Sequence, residues 1–127
     1  MEPYILIVDD DEAVLDMLND MVTFAGWQTK TASRGAECLS IVEEHRPGLI
    51  ILDLMMPVMS GFEVLTNLKR NPATRDIPVI INSALGNDQR LTRLGVDIVL
   101  QKGQLDYKSF IKNIEVYLGT PQQASAG

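Results

Sequence analysis

The chain has 127 residues, enough for one domain with one good core and too short for two. Its balance is acidic, 11 basic against 17 acidic residues for a net charge of −6, which argues against a general nucleic-acid-binding surface. A single cysteine excludes an intrachain disulfide, a single histidine excludes a histidine-rich metal centre and a Ser-His-Asp triad, and no segment has the roughly 20 apolar residues of a membrane span.

The first predicted element is a strand, Tyr4 to Val8, reached from Met1-Glu2-Pro3 with no basic n-region and so no signal peptide. With the lone cysteine, this places the expected location in the cytoplasm. Asp10 or Asp11 caps a helix with a buried stripe of Val14, Leu18, Met21 or Val22, and Ala25, stopped by Gly26. Trp27 to Ala32 is a weaker strand with Thr29 and Thr31, placed near an edge. Ser33 then caps a second helix carrying Ala36, Leu39 and Val42, and Pro47-Gly48 ends it. Cys38 belongs to that helix as a small core residue, and His45 is expected as a solvated cap at its C-terminus.

Leu49 to Leu52 is apolar throughout, as a central strand covered on both faces should be. A loop with Pro57 and Gly61 leads to a helix with Phe62, Leu65 and Leu68, closed by Asn71-Pro72. Val79 to Ile81 makes a fourth strand, a short polar helix runs near Asp88 to Leu94, and Val96 to Leu100 makes a fifth strand. The last helix buries Tyr107 or Phe110, Ile111, Ile114 and Leu118. Residues 1–119 are read as the domain and 120–127 as a polar C-terminal tail or linker stub.

Strands alternating with helices predict an α/β fold of five βα units, (βα)5. This size points to a flavodoxin-like doubly wound parallel sheet of strand order 2-1-3-4-5, with ligands bound beyond the carboxyl ends of the strands where strands 1 and 3 diverge. Asp9, Asp10, Asp53, Ser83 and Lys102 all fall at that end. So many carboxylates together are unfavourable unless a cation binds or one group loses its charge. Carboxylates without histidine or cysteine suit a hard cation, and an incomplete ligand set favours Mg²⁺. Asp53, on the central strand, is the best-placed nucleophile, and its attack on phosphorus gives an aspartyl phosphate. Lys102 suits one phosphate oxygen and the Ser83 hydroxyl another. Taken singly, Ser83 is a loop serine, Lys102 a surface lysine and Asp11 a helix cap; their joint placement favours a site.

The text Ile5-Leu6-Ile7-Val8-Asp9-Asp10-Asp11, Leu52-Asp53-Leu54-Met55-Met56-Pro57-Val58-Met59-Ser60-Gly61, Asn82-Ser83-Ala84 and Gln101-Lys102 resembles that of a response-regulator receiver domain, the phospho-acceptor module of two-component signalling. The resemblance spans residues 4–118. It implies that Asp9, Asp10, Asp53 and the Met55 backbone carbonyl hold Mg²⁺ and that Asp53 accepts a phosphoryl group from a phosphohistidine. It implies also that Ser83 binds that group and shifts on activation, that Lys102 pairs with it, and that Pro57 and Gly61 shape the loop. The implied partners are a histidine kinase or histidine phosphotransfer protein and a downstream protein target, with no direct nucleic acid and no membrane. No catalytic or DNA-binding domain is attached, so output is expected through a protein contact, or the chain is a fragment of something longer.

The sequence departs from the family in three places. Val99 stands where a Tyr or Phe usually precedes the lysine by three residues. Gly103 follows Lys102 where a proline is usual, which predicts a trans peptide because a non-proline cis bond costs roughly 3 kcal/mol. The segment from Ser83 to Gly95 is about one helical turn shorter than usual, so the fourth helix should be short or irregular, with Gly86 and Asn87 at its start. Asp97-Ile98 keeps half of the acidic pair used by many receivers to pair through strand 5. Met55 and Leu85, apolar where many relatives are polar, should keep water from an acyl phosphate. Two alternatives compete: a degenerate receiver used as a phosphorylation-independent scaffold, and an aspartate-nucleophile phosphatase, which would place an Asp where this chain has Met55.

Overall fold

In the computed structural model, residues 3–96 and 98–121 are described. The order is β1 (Tyr4–Val8), α1 (Glu12–Phe24), β2 (Gln28–Ala32), α2 (Gly35–Glu44), β3 (Leu49–Leu52), α3 (Gly61–Arg70), β4 (Val79–Ser83), α4 (Gln89–Arg93), β5 (Ile98–Gln101) and α5 (Tyr107–Leu118). The strands form one parallel sheet in the order β2-β1-β3-β4-β5, the expected doubly wound topology.

The sheet explains its own sequence. Successive strand residues point to opposite faces, so a strand covered on both sides must be apolar at every position. Tyr4, Leu6, Val8, Ile50, Leu52, Val79 and Ile81 face one layer, where α2, α3 and α4 supply Cys38, Val42, Val64, Leu65, Leu68 and Leu91. Ile5, Ile7, Leu49, Ile51 and Ile80 face the other, where α1 and α5 supply Leu15, Leu18, Val22, Phe110 and Ile114. Each fully buried aliphatic side chain contributes roughly 1.5–3 kcal/mol. The edge strand β2 is polar and largely exposed, and Lys30 on it discourages pairing with another chain.

Several local expectations are settled between their alternatives or corrected. Asp11 caps α1, accepting hydrogen bonds from the N–H groups of Ala13 at 2.9 Å and Val14 at 3.4 Å. The buried stripe of α1 includes Leu15, with Val14, Met21 and Ala25 only partly covered. Ser33 does not cap α2: the helix starts one residue later, behind Arg34, and the Ser33 N–H donates to Glu37 Oε1 at 2.8 Å. That start is set by packing, because a Cβ on Gly35 would lie 2.8 Å from Val64 Cγ2 on α3. Ala36 consequently faces solvent and Leu39 is half-buried, while Cys38 is in the core, with burial pushing its thiol up to about 12. His45 sits at the end of α2 but is half-buried, its ring 4.7 Å from that of Tyr4, whose hydroxyl donates to the His45 carbonyl. In α5 the buried aromatic is Phe110, and Tyr107 is exposed.

The fourth helix is short as expected, at five residues. Asp88 caps it and pairs with Arg90 at 3.0 Å, and the Arg90 guanidinium lies 3.9 Å from the centre of the Phe62 ring. A cation over an aromatic face thus ties α4 to α3. The peptide after Lys102 is trans. Gln104 N–H donates to the Gln101 carbonyl at 3.2 Å, closing a turn whose third residue, Gly103, has φ +84°. Proline, locked near −65°, cannot occupy that position, and this accounts for the glycine. Asp97 and residues 122–127, which include most of the predicted tail, lie outside the described residues.

Candidate functional site

Three strand ends build the site. β1 runs straight into Asp9, buried at 1% exposure, and β3 runs into Asp53, buried at 2%. The β1–β3 ladder continues past the strands, since the Asp53 N–H donates to the Val8 carbonyl at 3.0 Å. The Asp9 carboxylate is turned by a 2.9 Å hydrogen bond from the Asp11 N–H, and Asp53 Oδ1 accepts from the Met55 N–H at 3.3 Å. Asp11 is committed to its helix, leaving exposed Asp10 as the third free carboxylate. Oxygens of Asp9, Asp10 and Asp53 lie within 4.8 Å of one another.

Lys102 enters from the end of β5. Its ammonium lies 2.8 Å from Asp9 Oδ2 and 3.2 Å from Asp53 Oδ2. Its backbone is fixed as well, the N–H donating to the Ser83 carbonyl at 3.1 Å. Burial and then the neighbouring charge of Asp9 raise the Asp53 carboxyl above its ordinary value, against the hydrogen bond from Met55 and the charge of Lys102. For Lys102, burial pulls downward, but the Asp9 and Asp53 carboxylates outweigh it and hold the ammonium above its ordinary value. One cation for three carboxylates leaves the site short of positive charge, and an all-oxygen donor set of this spacing fits a hard divalent cation.

Ser83 is the last residue of β4 and fully buried, rather than lying beyond the strand. Its hydroxyl oxygen accepts from the Leu85 N–H at 3.3 Å, so this side chain belongs to the loop in the described state. The sheet therefore brings Asp9, Asp10, Asp53 and Lys102 together directly and connects Ser83 to them through the backbone of Lys102.

The loop after Asp53 owes its path to two residues. A Cβ on Gly61 would lie 2.1 Å from the Asp53 carbonyl oxygen, and the Gly61 N–H donates to the Leu54 carbonyl at 2.9 Å. Only glycine lets α3 start so close to the end of β3. Val58 has φ +70°, and the Met59 N–H reaches back to the Pro57 carbonyl at 2.8 Å, a strained γ-turn on a fully exposed β-branched residue. Met55 and Leu85 flank the site with half or more of each exposed. Val99 pairs with Ile81 and lines a groove of about 440 Å³ with Gly86, Gln101 and Phe110. One residue escaped the sequence reading as a site candidate: Asn82, buried in β4 next to Ser83. Its signal was an amide directly after the apolar run Val79-Ile80-Ile81, in line with Ser83.

Comparison with known proteins agrees with this geometry. The family model described as the response regulator receiver domain matches residues 5–114. A polar-differentiation response regulator, DivK of Brucella anthropi, is 34% identical over 122 residues, covering 94% of this chain and 98% of that protein. Among solved structures, the chemotaxis protein CheY4 of Vibrio cholerae superposes with TM-score 0.84 at 25% identity, covering 93% of this chain and 100% of that one. The N-terminal domain of a response regulator receiver protein from Methanoculleus marisnigri gives TM-score 0.74 at 33% identity, covering 91% and 95%. With its sheet order, its acidic strand ends and these relatives in agreement, the chain belongs to the response regulator receiver domain family of two-component signalling.

Proposed function

We propose that the domain takes a phosphoryl group onto Asp53 from a phosphorylated histidine and that the modified site switches a protein-binding surface. The observation that carries this reading is the single ammonium of Lys102 set against both buried carboxylates, Asp9 and Asp53. An Asp53 carboxylate oxygen forms a bond to phosphorus while the bond from phosphorus to the histidine nitrogen breaks, and that nitrogen keeps the electron pair. Lys102 offers its charge to the incoming phosphoryl oxygens, and Ser83 exchanges its bond to Leu85 for one to phosphate.

Asp9, Asp10, Asp53 and the Met55 carbonyl would hold Mg²⁺, whose charge would offset the repulsion between carboxylate and phosphate. The donors would be a histidine kinase or a histidine phosphotransfer protein, and the recipient of the signal a downstream protein. Exposed Met55 stands where an aspartate-nucleophile phosphatase would place its general acid, so turnover of small phosphate esters is disfavoured. The scaffold alternative draws on Val99 and the five-residue α4, which alter the path by which phosphorylation would reach a partner.

Incubation with acetyl phosphate and Mg²⁺ followed by intact-mass measurement separates the readings. Gain of one phosphoryl group by the wild type and none by Asp53→Asn supports the acceptor. No gain in either favours the scaffold.

A further inference from the structure

Asn82 is 1% exposed, and neither its amide oxygen nor its amide nitrogen has a hydrogen-bond partner. Leaving a buried polar group unpaired is destabilising. Valine or isoleucine would suit this central-strand position without that cost.

The strand registers show where the amide lies. Ile7, Ile51, Ile80 and Ile98 form one row across β1, β3, β4 and β5 on the face packed by α1 and α5. Two residues further along each strand, the row becomes Asp9, Asp53, Asn82 and Leu100. Asn82 is paired with Leu100, and the β1–β3 and β4–β5 ladders carry on by one residue, while the β3–β4 ladder ends at the Leu52–Ile81 pair just before Asp53 and Asn82. Laterally paired residues point to the same face, with adjacent strands about 4.8 Å apart. Lys102 follows two residues after Leu100, on the same face, and its ammonium reaches back to Asp53 and Asp9. Its stem must therefore cross β4 at the position of Asn82, which stands between the lysine's origin and the carboxylates it meets.

Granted the acceptor role of Asp53 argued above, we propose that Asn82 is a positioning residue for phosphoryl transfer. When Lys102 turns from Asp9 toward an incoming phosphoryl group, the Asn82 amide oxygen accepts a hydrogen bond from its ammonium. The amide nitrogen donates to the Asp53 carboxylate and fixes the oxygen that attacks. In the described state Lys102 is drawn to Asp9, and the amide stands in reserve.

Asn82→Val and Asn82→Thr, which share one side-chain shape and differ by a hydroxyl, test this against a purely structural role. The rate of phosphorylation by acetyl phosphate at fixed Mg²⁺ should fall about tenfold in Asn82→Val, as expected for loss of a hydrogen bond to a charged group, while thermal stability holds or rises. Asn82→Thr should recover part of the rate. In the wild type, the Asn82 side-chain amide signals, identified by their loss in Asn82→Val, should shift in the NMR spectrum on phosphorylation. A wild-type rate in Asn82→Val, equal slowing in both variants, or amide signals that stay put would overturn the proposal. Should Asn82→Val fail to fold, the amide signals, assigned by backbone connectivity, decide it. A wild-type chain that takes no phosphoryl group removes the acceptor reading and this one with it.

Discussion

The Lys102 ammonium lies 2.8 Å from Asp9 Oδ2, closer than its 3.2 Å approach to Asp53 Oδ2. In this arrangement the lysine serves mainly to neutralise Asp9 and is only partly turned to Asp53. Lys102→Ala should leave Asp9 and Asp53 buried against each other without a counter-charge, at a cost of about 3–5 kcal/mol. Chemical denaturation at pH 7 should show that loss, and saturating Mg²⁺ should restore part of it. A variant as stable as the wild type would mean that the carboxylates are relieved by some other group.

Asp53 carries a stability cost for its position. Its carboxyl is raised above the ordinary value of 3.8 by burial and by Asp9. The folded state therefore binds this proton more tightly than the unfolded chain does, and stability falls as pH rises from 3.8 through the folded value. Above that window the ionised group is a net burden. Asp53→Asn should raise the melting temperature by a few degrees at pH 7 without Mg²⁺, and the gain should shrink as the pH is lowered toward 4. A lower melting temperature at pH 7 would contradict this sign.

Gly61 is required by contact rather than by backbone torsion. An added methyl would press on the Asp53 carbonyl at 2.1 Å, and backbone cannot yield as a side chain can. Gly61→Ala should destabilise the fold by about 1–3 kcal/mol and slow phosphorylation together, since α3 and the loop after Asp53 must separate. Denaturation midpoints and phosphorylation rates of the same preparation check both effects.

Met55 and Leu85 follow Asp53 and Ser83 by two residues and are 57% and 50% exposed. Apolar groups there obstruct a water molecule approaching an acyl phosphate. Met55→Asn combined with Leu85→Glu should shorten the phosphorylated lifetime by up to about a hundredfold, the low end of what a positioned proton acceptor contributes. An unchanged rate of phosphate loss would dispose of the idea.

Much of the molecule is legible in its residues, for identifiable reasons. Leu49-Ile50-Ile51-Leu52 has to be a two-sided strand because nothing polar interrupts it, and Asp53 closes it at the edge where ligands bind. Asp9 and Asp53 were recognisable because each closes an apolar run, and Asp10 and Lys102 because each lies two residues past one. The start of α2 was not, because Gly35 is chosen by the bulk of Val64 on another helix, a contact that local capping signals do not encode. The bond from Leu85 to Ser83 was likewise hidden, since a loop closing on its own hydroxyl leaves no periodic trace. Asn82 shows the limit most clearly. One amide after three apolar residues looks like an interruption until the register sets it one step past the Leu52–Ile81 pair, where Asp53 also follows.

The most direct measurement asks where the phosphoryl group goes. After reaction with acetyl phosphate and Mg²⁺, borohydride reduces an aspartyl phosphate to homoserine, and peptide mass spectrometry locates the altered residue. The expected result is homoserine at position 53 alone. Homoserine at position 9 or 10, or an unaltered Asp53 in a chain that has gained a phosphoryl group, would contradict the assignment of Asp53 as acceptor.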